Sequence, residues 1–181
     1  MVQLSLPVGR RVTVGRVPPA ASATAPRRGL GERLLHRVLH LWWRLRRGMT
    51  LGVRGLVVDP DGRVFLVRHS YLTGWYLPGG GVEVGETMET SLARELLEEG
   101  NLHLDGPAVL HGVYLNDRVS RRDHVALYVV RAFRQPAPFV PTREILEAGF
   151  FSPDALPDGT SPATRARIAE ILHGAPGSAH W

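Results

Sequence analysis

A chain of 181 residues without cysteine has room for one domain with a hydrophobic core plus an extension, but not for two domains of ordinary size. Disulfides and thiolate metal sites are excluded, and the composition suits a reducing cytoplasm. The net charge of +5 is uneven, because residues 1–50 hold ten arginines against Glu32, leaving twelve arginines against sixteen acids, net −4, in the remainder.

Residues 1–30 mix Arg with Pro, Ala, Ser and Thr, and the run VPPAASATAP reads as a flexible leader with little capacity to pack. No secretory signal pattern is present in it. Over residues 31–48, Arg33, His36, Arg37, His40, Arg44 and Arg47 recur every three or four positions between apolar residues, which predicts a basic amphipathic helix. The 31–47 helix reads either as a peripheral contact with a membrane surface or nucleic acid, or as an element packing Trp42 and Trp43 on the domain or on a second copy in a homodimer. It is too short and too charged to span a bilayer.

A domain is expected over 49–175, followed by a short tail, 176–181. VRGLVVD and RVFLVRH flank Pro60-Asp61-Gly62 and predict a β-hairpin. SYLTGWYLPGGG then leads into a glycine loop, and Thr87 is the expected N-cap of the helix after it. Further on, AVLHGVYLN and HVALYVVRAFR predict another pair of strands about the polar turn DRVSRRD, with His111 and His124 as ordinary strand positions. A closing helix is predicted from Ser161 to His173, Pro162 sitting in its first turn.

The chemistry concentrates in Gly79 to Leu102, GGGVEVGETMETSLARELLEEGNL. On a helix, Glu95, Glu98 and Glu99 fall within an arc of about 100° and share a face, while Leu92 and Leu96 belong to the core side. Two carboxylates about 5–6 Å apart repel by roughly 3 kcal/mol at an effective dielectric near 20. A hard divalent cation, Mg²⁺ or Mn²⁺, relieves that repulsion and bridges to phosphate, and the Gly80 carbonyl is a candidate to complete its shell. The bland alternative is a solvated acidic face with Arg94 as its counter-charge. Gly80, Glu86 and the LPGGG entry in common register favour the metal.

Read from Gly80, with Glu86 after five residues, Arg94 and Glu95 after seven more, and then Leu96, Glu98, Glu99 and Leu102, the stretch resembles the Nudix box of the Nudix hydrolases. Asn101 stands where that family has glycine, and asparagine is the next most tolerant residue of positive φ. The resemblance covers roughly Thr50 to His173 and implies the α/β Nudix fold, a mixed β-sheet sandwiched between helices. It implies a metal-dependent pyrophosphohydrolase cleaving a diphosphate linkage in a nucleoside diphosphate derivative by water attack on phosphorus. Glu95, Glu98 and Glu99 would hold the cation, Arg94 would orient a glutamate, and Glu95 or Glu144 would be the base. Glu144-Ile145, Phe150-Phe151 and Ala155-Leu156-Pro157 match a looser family pattern, which puts Glu144 on a loop near the metal. Trp75, Tyr76 and Arg118 are the candidate substrate contacts, for a nucleotide-type small molecule. Two other readings stand beside the enzyme: a Nudix-fold nucleotide-binding or regulatory module without catalysis, and an RNA 5′-end pyrophosphohydrolase whose arginine-rich extension tracks phosphates.

Overall fold

The computed structural model describes residues 48–181, so the leader and the basic helix up to Arg47 lie outside the described residues. The described elements are β1 (Thr50–Val57), β2 (Val64–His69), α1 (Met88–Gly100), β3 (His103–Leu104), β4 (Val109–Leu115), β5 (Asp123–Val130), β6 (Phe133–Arg134), β7 (Ile145–Phe151) and α2 (Pro162–Leu172).

β1 and β5 are apolar on both faces, as suits strands covered from both sides. They pair in parallel, and β4 adds antiparallel to β5, giving a mixed sheet in the order β1-β5-β4. One face of it meets Leu92 and Leu96 of α1, in a core with Val53, Val57, Ala126 and Tyr128. The other meets Ile168 of α2, with Leu56, Leu127 and Tyr114. The mixed sheet between helices that the resemblance implies is therefore present.

β1 and β2 do not form the expected hairpin. Asp59 and Gly62 do form a turn, its Asp59 carboxylate accepting from the amides of Asp61 and Arg63. Yet pairing across it stops at the single bridge Val58–Val64. β2 then leaves to pair antiparallel with β7 in a second sheet. β1 has no free edge for β2, because one side pairs with β5 and on the other the Val53 and Gly55 amides donate to the carbonyls of Gly80 and Pro78. The predicted pair β4 and β5 is found.

Both helices begin and end where the sequence places them. The Thr87 side chain accepts from the Thr90 amide at 3.1 Å, and Ser161 caps α2 through the Thr164 amide at 3.1 Å. At the end of α1, Asn101 takes φ 52°, ψ 36°, and the Leu102 amide reaches back to the Leu96 carbonyl at 3.1 Å. That is the left-handed stop for which the family uses glycine.

Candidate active site

The glycine loop is built against the edge of β1. The Val53 amide donates to the Gly80 carbonyl at 2.8 Å and the Gly55 amide to that of Pro78 at 2.9 Å, while Arg54 donates to the carbonyls of Leu77 and Gly79. Gly79 has φ 137°, and any side chain there would collide with the Val53 carbonyl. At Gly80 the obstacle is functional: a β-carbon would occupy the position of the Glu95 carboxylate. Loop and helix thus meet through a contact that only glycine permits.

Arg94 organises the acids around it. Its Nε donates to Glu86 Oε1 at 3.0 Å, its Nη2 to Glu86 Oε2 at 3.1 Å, and its Nη1 to Glu95 Oε1 at 2.7 Å. Such a two-pronged contact is worth more than a point charge because it fixes the plane of the carboxylate as well. The Arg94 hydrogen bonds hold the Glu86 carboxyl below its ordinary pKa, and the two glutamates raise that of the guanidinium.

Glu99 lies deeper, at 5% exposure. One carboxyl oxygen accepts from the Gly79 amide at 2.7 Å, and the other is 3.7 Å from Nε2 of the buried His69. Burial pushes its pKa up to about 8, with Glu95 and Glu144 adding repulsion, against the opposing pull of Arg54 and the Gly79 amide. Desolvation, then Arg54, hold the His69 imidazole below the usual histidine range. Neither of its ring nitrogens has a hydrogen-bond partner.

Glu144 arrives from the opposite side of the chain. It immediately precedes β7, and the Ser70 amide donates to its carbonyl at 2.8 Å, so the end of β2 carries it. Tyr71 donates to its carboxylate at 3.3 Å; burial and then this acid raise the Tyr71 phenol's pKa. Glu144 therefore faces the group of Glu99, His69 and Tyr71 from an anchored strand end.

The donor set fits a hard divalent cation. Carboxylate oxygens and a glycine carbonyl are its usual ligands, and Glu99 is a buried acid without a full counter-charge beside an unpartnered imidazole. Among the described residues, no three acid or histidine side chains are already gathered for one cation. Arg94 draws Glu95 to itself, and the Glu98 side chain is 60% exposed.

The candidate substrate contacts separate. Tyr76 packs beside the His69 ring, with centroids 6.0 Å apart, and donates to the Thr73 carbonyl. Trp75 points the other way, edge-on to Phe151 in the core under α2, because neighbours on an extended segment face opposite sides. A cleft of about 290 Å³ opens at Gly80 and Gly81, walled by Gly52, Arg54, Asn116 and Val119. Arg118 lines a different cavity. Arg54, His69 and Tyr71 were not singled out from the sequence. A charged residue within the otherwise apolar β1 was the available signal for Arg54, whereas nothing local marked His69 or Tyr71.

Residues 48–172 match the family model described as NUDIX domain. The chain is 32% identical, over 70% of its length and 79% of the other, to a "MutT-like protein" of Streptomyces ambofaciens. It is 33% identical to the Homo sapiens protein "8-oxo-dGDP phosphatase NUDT18", over 37% of this chain and 22% of that one. Among solved structures, the MutT NUDIX hydrolase of Burkholderia pseudomallei superposes with a TM-score of 0.59 at 27% identity, covering 68% of this chain and 98% of that one. Among the described residues, no helix is long and apolar enough to cross a membrane.

Proposed function

As the chain belongs to the Nudix hydrolase family, we propose that it hydrolyses the diphosphate linkage of a free nucleotide derivative, with Glu95, Glu98 and Glu99 holding Mg²⁺ or Mn²⁺. The observation that carries this reading is the buried Glu99 carboxyl, pressed against the glycine loop with its pKa raised to about 8. A divalent cation there would neutralise charge on the diphosphate oxygens and lower the barrier to attack by water. Arg94 keeps Glu86 and Glu95 in place and is too engaged to reach substrate. Gly79 and Gly80 fix the loop that fronts the cleft. Glu144 is the general base: Arg94 neutralises Glu95, whereas Glu144 carries a single long hydrogen bond from Tyr71 and retains a lone pair for a water proton. The Homo sapiens relative named for 8-oxo-dGDP supports a nucleoside diphosphate as the first substrate to test. The reading places the enzyme in the cytoplasm, consistent with a cysteine-free chain.

The test is a panel of nucleoside di- and triphosphates, sugar nucleotides, ADP-ribose, dinucleoside polyphosphates and 5′-triphosphorylated RNA, assayed with Mg²⁺ or Mn²⁺ for wild type and Glu144→Gln. A free nucleotide should be cleaved, and Glu144→Gln should lower kcat by about 10²- to 10⁴-fold. Cleavage of RNA alone would move the substrate to RNA 5′ ends. Metal-dependent binding without cleavage of any compound would replace the enzyme by a nucleotide-binding module.

A further inference from the structure

A second cavity, of about 460 Å³, lies across the Asn116–Ser120 turn from the cleft. Asn116 and Val119 line the cleft, whereas Asp117 and Arg118, between them in sequence, line this cavity. Its other walls are the start of α2 and the segment 178–181, neither of which carries a residue of the acidic cluster.

These walls are held by specific bonds. The Leu115 amide donates to the Ala179 carbonyl at 2.9 Å and the Trp181 amide to the Leu115 carbonyl at 2.9 Å, which fastens the segment to the edge of β4. His180 Nδ1 pairs with Asp117 Oδ2 at 3.1 Å, and the Trp181 ring packs edge-on to Tyr114. On the helix side, Ala163, Ala166 and Arg167 share a face at i, i+3 and i+4. The two alanines leave the space that longer side chains would fill.

The chemistry of the lining favours an anion carrying a flat ring. Arg167 is 3% exposed, with Nη2 3.1 Å from Glu170 Oε2 and its guanidinium 4.3 Å over the Tyr114 ring. Its Nε is buried with no hydrogen-bond partner, a costly state for a donor. Arg118 is exposed and makes no ion pair among the described residues. The first turn of the 11-residue α2 contains no acid, so the positive end of its dipole is uncompensated. Asp117, the acid in the wall, is already engaged by His180. Trp181 adds an aromatic surface, and the volume suits a ligand larger than phosphate alone.

We infer that this cavity is a second ligand site, taking a phosphorylated aromatic ring of the mononucleotide class, with phosphate toward Arg118 and the start of α2 and the ring on Trp181. The inference does not rest on the hydrolase reading, because binding there needs neither a cation nor the acidic cluster.

Binding is tested on the full chain in EDTA, where turnover is absent. The indole N–H resonance of Trp181, assigned by its loss in Trp181→Phe, is followed during titration with AMP, GMP, adenosine or inorganic phosphate. Either mononucleotide should move it in a saturable way, with adenosine and phosphate each weaker by about tenfold or more. Arg118→Gln should weaken AMP about tenfold, and Ala166→Leu should remove the response, with melting curves confirming that both variants fold. The source of the ligand is read from hydrolysis by Ala166→Leu. An unchanged KM assigns the site to a free mononucleotide, and a raised KM with kcat kept assigns it to a distal part of the substrate. No saturable shift with AMP or GMP, or a shift that survives both Arg118→Gln and Ala166→Leu, overturns the inference.

Discussion

Replacing Glu99 by Gln removes a charge from a place that resists charge, and the consequence for stability depends on pH. The Glu99 carboxyl has an ordinary pKa of 4.5, raised to about 8 in the fold. The folded state therefore binds the proton more tightly than the unfolded one. The stability this contributes is complete below about pH 4.5 and is lost as pH rises toward 8. A shift from 4.5 to about 8 corresponds to at most about 5 kcal/mol above pH 8, and relaxation around the partly solvated cluster reduces the working figure to about 2–3 kcal/mol. Glutamine has the same shape, still accepts from the Gly79 amide, and carries no charge at any pH. In chelator at pH 8.5 Glu99→Gln should therefore melt about 5–10 °C above wild type, at roughly 2–4 °C per kcal/mol, with the difference shrinking to within about 2 °C at pH 5. Excess Mg²⁺ or Mn²⁺ should raise the wild-type melting temperature and leave that of Glu99→Gln nearly unchanged. The more exposed Glu98 is the control, and Glu98→Gln in chelator should melt within about 2 °C of wild type, as a surface substitution does. The measurement is a set of thermal melts over pH 5–9 with and without metal. A destabilised Glu99→Gln at pH 8.5, or a difference that ignores pH, would refute the reasoning.

Gly80→Ala places a methyl group against the Glu95 carboxylate and should lower kcat by about 10²-fold, because a displacement of about 1 Å at a reacting centre has that effect; melting and steady-state kinetics measured together should show the loss without unfolding. Asn101→Gly should stabilise the protein by about 0.5–1 kcal/mol, since Asn101 already holds a left-handed conformation in which glycine carries no steric penalty, less whatever the Asn101 bond to the Ala137 carbonyl contributes; urea denaturation reads the balance, and kcat should not change.

Local chemistry made much of this protein legible before any coordinates. Thr87, Ser161 and Asn101 mark helix ends because capping is decided within three or four residues of chain. The alignment of Glu95 and Glu99 with the glycine loop follows from helical spacing and from a loop short enough to fold back on its own helix. Such contacts need no knowledge of the rest of the fold. The partners of β1 and β2 were decided elsewhere: two strands flanking an Asp-Gly turn satisfy the rule for a hairpin, yet β5 and the glycine loop occupy the two edges of β1, and β2 pairs with β7. His69 and Tyr71 join the site only because β2 ends beside Glu144, which the β2–β7 register brings across some 75 residues of sequence. Trp75 and Arg118 carry suitable side chains for a substrate, but the side a residue faces is set by the strand or turn beneath it. Composition cannot supply that direction, and the packing of α1 and α2 on opposite faces of the mixed sheet does.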